Sequence, residues 1–247
     1  MILQADAVTK SFGGLRATDE ISLQIQEGEL SSIIGPNGAG KTTLFNLLTG
    51  KLHPDSGKIT FQGEDISDLP PHEICRRGMG RSFQRTNIFP QLSAFANVQM
   101  AVLSEQKKTR NIFLPVKKIA RKRTDEILES VQLSDRKDVL GGLLAYGDQK
   151  LLDIGIALAS NPKLLLLDEP TAGMSPAETE RTTELIQSLA QKHHLTLVFV
   201  EHDMNVVFGI SDKITVLHQG RIIFQGKPDE VKANDEVQKI YLGEEKA

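Results

Sequence analysis

Residues Gly35-Pro36-Asn37-Gly38-Ala39-Gly40-Lys41-Thr42, with Thr43 after them, place glycines, a lysine and hydroxyls at the spacing G-x-x-x-x-G-K-[ST]. Such a stretch suits phosphate binding when a strand precedes it and a helix follows. The glycines let backbone N–H groups turn inward around a β-phosphate. The helix N-terminus adds its positive end, and Lys41 puts a point charge on the β/γ oxygens. The hydroxyl of Thr42 is a hard donor for Mg²⁺. A second group, Asp168-Glu169, closes the apolar run Leu164 to Leu167. There Asp168 can hold Mg²⁺ or its water while Glu169 polarises an attacking water as general base. His202 follows the apolar run Leu197 to Val200. Alone it reads as a structural histidine; after a strand of the same sheet it reaches a γ-phosphate or orients Glu169 and its water.

These residues need a frame that brings them to one edge. Leu30 to Ile34 reads as a buried strand ahead of the glycine loop, and Gly40 to Leu48 as a helix that stops at Gly50, a C′ glycine. Ile21, Leu23 and Ile25 alternate as a strand does. Lys58 to Ile66 reads as a hairpin around Gln62-Gly63-Glu64, leading to a polar loop that ends at Pro70-Pro71. From Thr86 to about Gly142 strand patterns give way to helical spacing at Val98 to Leu103 and Ile119 to Val131. Strands return at Leu164 to Leu167, Thr196 to Val200 and Ile214 to Leu217, separated by helical patterns. Alternating βα units imply a mainly parallel sheet whose carboxyl ends carry the ligand. The last fifteen or so residues suggest a short helix with a charged tail.

With 39% hydrophobic and 25% charged residues over 247, the chain is an ordinary globular one. Its 29 basic and 32 acidic residues give a net charge of -3, which argues against general nucleic-acid binding. The single Cys75 excludes an internal disulfide, fits a reducing compartment and is read as a buried structural thiol. Met1 to Lys10 lacks the apolar segment of a signal peptide, and no apolar run approaches the roughly 20 residues of a membrane span. A membrane role would need a partner. Lys107, Lys108, Arg110, Lys117, Lys118, Arg121, Lys122 and Arg123 form a basic stretch with no acid among them. It is read as a solvated face, with anionic lipid as the alternative.

The order of these motifs resembles the ATP-binding cassette ATPases over nearly the whole chain. The resemblance implies a P-loop NTPase of α/β class: a RecA-like mainly parallel sheet, an antiparallel β subdomain and an inserted helical subdomain. Residues 1–85 and 148–232 would form the core, 86–147 the helical part and 233–247 a tail. It further implies that Phe12 stacks on adenine, that Gln84 contacts Mg²⁺ and the γ-phosphate, and that His202 is the switch histidine. Ala145, Tyr146, Gly147 and Asp148 occupy the place of the signature L-S-G-G-Q, which completes the ATP site of the opposite subunit. MgATP, a second ATPase chain in a heterodimer or homodimer, permease subunits docked at the helical subdomain, and indirectly a substrate-binding protein are the implied companions. The phrases around Arg81 to Phe89, Leu144 to Gly147 and Val216 to Gly220 look like the branch serving branched-chain amino-acid, amide and urea importers.

The chain departs from the family pattern at Ala145, Tyr146, Asp148 and Ser175. Asp148 either repels a nearby phosphate or acts as a helix N-terminal acid pointing away; the second reading is taken. Ser175 replaces a common aspartate. The rival readings are a soluble cassette ATPase acting on nucleic acid or ribosomes, a small-molecule kinase, and a degenerate subunit that binds ATP without turnover. The first fits poorly with a single P-loop and no heptad array, and the second would not need Gln84, Gly147 and His202 together.

Overall fold

The structure, a computed structural model, describes residues 1–82, 87–106 and 116–244. The chain enters through β1 (Leu3–Phe12), β2 (Leu15–Ile25) and β3 (Leu30–Ile34), then passes the glycine loop into α1 (Lys41–Leu48). Next come β4 (Ser56–Phe61), β5 (Glu64–Asp65), α2 (Pro71–Arg76), β6 (Met79–Arg81), α3 (Ala94–Gln106), α4 (Val116–Ser130) and α5 (Tyr146–Leu158). The remainder alternates as β7 (Leu164–Asp168), α6 (Pro176–His193), β8 (Thr196–Val200), α7 (Met204–Ile210) and β9 (Lys213–His218). It ends with β10 (Arg221–Gly226), α8 (Pro228–Ala233) and α9 (Asp235–Glu244).

The larger sheet has the order β10-β9-β3-β8-β7-β6, all parallel except β10, and the smaller, antiparallel sheet runs β2-β1-β4-β5. Every residue of β3, β7 and β8 is buried, which is why they read as continuous apolar runs. Their alternate side chains feed two cores. Leu164, Leu166, Val198 and Val200 pack with the antiparallel sheet and α1. Leu165, Leu167, Leu197 and Phe199 pack with the helices of the opposite face. Each such side chain stabilises the fold by about 1.5–3 kcal/mol, so the central strands are the rigid part. Because the five strands point one way, Gly35, Arg81, Asp168, Glu201 and Gln219 all arrive at a single rim.

The architecture is the expected P-loop α/β fold with an antiparallel β layer and inserted helices. Short elements escaped the sequence reading. α2 begins at Pro71, where a loop end was expected, because proline at N1 lacks only an N–H that would be unbonded anyway. The three-residue β6, flanked by Gly78, is too brief to show a period. β10 and α8 were also not anticipated. Cys75 is exposed, not buried: Ile74 takes the core-facing position of the short α2 and leaves its neighbour on the outside. Among the described residues no helix is long and apolar enough to cross a membrane.

Candidate nucleotide site

The glycine loop is shaped from outside. A Cβ at Gly35 would collide with the carbonyl oxygen of Leu217, and one at Gly40, whose φ is 103°, with that of Ala17. Gly40 caps α1, so the first helical residue is Lys41. Its ammonium folds over the loop, donating to the carbonyls of Gly35 at 2.5 Å and Pro36 at 3.0 Å. A cleft of about 680 Å³ opens beside this loop, and its lining includes Phe12, Asn37, Gly38, Ala39, Lys41, Thr42, Thr43, Glu169 and His202. Gly40 is there too. Gly35 and Pro36 are not on its wall and reach the site through the lysine.

Phe12 stands half exposed at the end of β1. It pairs in register with Leu15 across the Gly13-Gly14 turn, which sets Leu15, Arg16 and Ala17 on the same cleft. Sequence reasoning passed over these three and Gln219; the Gly-Gly turn after Phe12 was the available signal. Arg16 and Arg221 hydrogen-bond to Asp19, Arg16 having the larger effect, and hold its carboxyl below the usual carboxylate range.

The acids sit where β7 ends. Asp168 lies behind the cleft wall, its Oδ2 accepting from Arg81 at 3.0 Å. Arg81 also donates to Asn46 Oδ1 and Thr49 Oγ1 on α1 and its C-cap. Glu169 turns out of the strand with φ 50°, its N–H donating to Val200 O at 3.0 Å. Its Oε1 is 3.3 Å from His202 Nε2, so the two side chains meet. Beneath them Lys150 of α5 is buried and donates to the Glu169 carbonyl at 3.3 Å. Burial pushes its ammonium below the ordinary lysine value, against the pull of Asp153, Glu169, Glu201 and Asp168.

Thr42 offers a hydroxyl on the cleft wall and Asp168 a carboxylate behind it, held by Arg81; both are oxygen donors of the kind that suits Mg²⁺. This ion characteristically takes one or two carboxylates plus substrate phosphates. Among the described residues no group of three or more His, Cys, Asp and Glu forms a separate metal cage. Gln84 falls outside the described residues, as do positions 107–115 of the basic stretch.

The signature-like stretch does not line its own chain's cleft. α5 starts at Tyr146 with Ala145 as N-cap; Tyr146, Gly147 and Asp148 are therefore its first turn. Asp148 is buried and ion-paired with Arg136, a counter-ion that neither sequence reading of this acid included. Tyr146 packs against Gly173, and Gly147 against Glu178 of α6. Ser175 is the N-cap of α6, its backbone N–H and hydroxyl both donating to Glu178 of the first turn.

Residues 18–172 match the ABC transporter family model, and residues 221–247 match that of the branched-chain amino acid ATP-binding cassette transporter. BraF of Pseudomonas aeruginosa, a high-affinity branched-chain amino acid transport ATP-binding protein, is 39% identical, with 98% of each chain covered. LivG of Escherichia coli is 37% identical with the same coverage. The lipopolysaccharide export ATP-binding protein LptB of Haemophilus influenzae is 35% identical over 99% of this chain and 98% of its own. In structure, the ADP conformation of the cassette MJ1267 superposes with a TM-score of 0.83 at 30% identity, covering 98% of each chain. The dimer of MJ0796 bound to ADP and Pi gives 0.80 at 29%, covering 92% of this chain and 99% of that one. With the phosphate loop, paired acids and histidine meeting on one rim, the chain belongs to the ABC transporter family and is an ATP-hydrolysing, ATP-binding subunit.

Proposed function

We propose that this subunit powers import of branched-chain amino acids, or of related amides or urea, through a separate permease. The match of residues 221–247 to the branched-chain model is the observation that carries this substrate class. In this reading Phe12 stacks on adenine, while the loop amides of Asn37 to Thr43 and Lys41 hold the phosphates. Thr42, Asp168 and Gln84 hold Mg²⁺, which supplies charge neutralisation at the phosphate oxygens. Glu169 accepts a proton from the attacking water, with His202 at 3.3 Å fixing its direction.

A second ATPase chain, different or identical, closes over the cleft. The N-cap Ala145 and the first-turn amides at Tyr146 to Asp148 then face that partner's nucleotide. The dimeric state of MJ0796 supports this arrangement. The permease would dock in a cleft of about 610 Å³ lined by residues that include His72, Cys75, Ala101, Glu105 and Ile156. Arg81, three positions before Gln84, borders the same cleft. The chain would thus sit peripherally on the cytoplasmic face, a substrate-binding protein acting only through the permease and no nucleic acid taking part.

The likeness to LptB favours export as the second reading. Copurifying the tagged chain from its native membranes discriminates the two. A permease, a second ATPase and turnover stimulated by a solute-loaded binding protein are expected. Stimulation by lipopolysaccharide instead, or companionship with ribosomes or DNA, would overturn the import reading. Glu169→Gln should abolish turnover while MgATP still binds.

A further inference from the structure

Behind Glu169 and His202 lies a third carboxylate, Glu201, buried at 3% exposure and absent from the cleft wall. Both of its oxygens are engaged. Oε1 accepts from the backbone N–H of Thr171 at 2.7 Å and from the Thr171 hydroxyl at 2.6 Å. Oε2 accepts from the N–H of His202 at 3.1 Å. One side chain therefore ties the loop leaving β7, two residues past Glu169, to the residue that follows it on the β8 side.

The tie matters because Glu169 adopts a left-handed backbone, φ 50°. That region is sparsely populated for a residue with a Cβ and persists only where the surroundings over-determine it. Four restraints converge here: Glu169 N–H on the Val200 carbonyl, Lys150 and the Ala172 N–H on the Glu169 carbonyl, and the Glu201 clamp on Thr171. The first three grip the peptide groups of Glu169 itself. Of the four, Glu201 is the one that also holds the histidine whose ring meets Glu169.

We propose that Glu201 is a positioning residue that keeps Glu169 in its strained turn and His202 within reach of it. Glutamine at this position keeps the shape but brings its amide NH₂ against one of the two N–H donors, so one arm of the clamp opens. The inference rests on the reading of Glu169 and His202 as the hydrolytic pair.

The test uses the full chain in its transporter complex, with steady-state ATPase kinetics and calorimetric binding of MgATP. Glu201→Gln should lower kcat by about 10- to 100-fold, the scale expected of an ångström-level misplacement, with KM and nucleotide affinity within about two-fold. Added to His202→Ala it should lower kcat little further, because the arm it cuts serves that histidine and its partner. Thr171→Val removes one donor to the same carboxylate and should show a smaller loss of the same kind, which covers the case of a Glu201 variant that fails to fold. Wild-type kcat in both variants, a parallel loss of MgATP affinity, or a double variant that falls by the full product of the single effects overturns the clamp. If Glu169→Gln and His202→Ala themselves turn over normally, the hydrolytic assignment fails first and the clamp with it; if those two fail and Glu201→Gln does not, the clamp alone is lost.

Discussion

Arg81 and Asp168 form an ion pair at 3.0 Å between neighbouring parallel strands, with only 10% and 6% of their side chains exposed. The same guanidinium reaches Asn46 and Thr49, so three elements meet at one planar group. Removing one partner leaves a desolvated charge behind. Arg81→Met is expected to cost about 3–5 kcal/mol of folding stability, read from urea unfolding. Arg81→Lys should recover little of this, because a point-like ammonium cannot reproduce the fork. Unfolding midpoints equal to wild type in both variants would refute the assigned role.

Phe12 offers an exposed ring at the mouth of the cleft, with the Leu15 side of the hairpin opposite. Stacking on a base is worth about 1–3 kcal/mol by alanine substitution. Phe12→Ala should therefore weaken nucleotide binding by that amount in a calorimetric titration, while Phe12→Tyr keeps it. Equal affinity for all three chains would show that adenine sits elsewhere.

Asp148 is turned into Arg136 and its charge is matched there. Asp148→Gln should accordingly leave ATP-driven dimerisation unchanged and lower stability by about 1.5–3 kcal/mol, the range for a hydrogen bond to a charged group. Tighter dimerisation, measured by sedimentation in the presence of nucleotide, would mean that the carboxylate faces phosphate after all.

At the start of α6 the backbone N–H and the hydroxyl of Ser175 both donate to Glu178. The backbone N–H of Ser175, then its hydroxyl, hold the Glu178 carboxyl below its ordinary value of 4.5. A depressed carboxyl stabilises the fold fully above that ordinary value, and the contribution is lost as pH falls through the lower, folded-state value. Ser175→Ala should cost about 1 kcal/mol at neutral pH, and Ser175→Asp should not recover it, because it replaces the hydroxyl that donates to Glu178 with a second carboxylate. The alanine penalty should shrink in acid, as thermal melts between pH 7 and the acid limb would show; a pH-independent penalty would contradict it.

Much of this frame was legible because its signals are local. The strand-loop-helix at Leu30 to Leu48 declares itself through glycines and a lysine at fixed spacing, and four leucines in a row before Asp168 can only be a fully buried strand or helix segment. The acids and His202 could be placed on one rim from the direction of parallel strands alone. What stayed hidden depends on contacts between distant segments. Arg136 is twelve residues from the acid it neutralises, Lys150 nineteen from the carbonyl it meets, and Glu201 thirty from Thr171. No periodicity encodes such pairs. Cys75 was misjudged for the opposite reason: its residue type favours burial, and a six-residue helix with one inward face overrode that preference.

The glycine loop is wedged from outside by the carbonyls of Leu217 and Ala17, and the Gly220 N–H donates to Ala39 O at 3.0 Å. The backbone of the loop is therefore shaped by its surroundings, and in the proposed reading, where this loop holds the phosphates, association would carry little loop-ordering penalty. On that reading the strands behind Leu217 and Ala17 would tune nucleotide affinity, although Leu217 itself is not on the cleft wall.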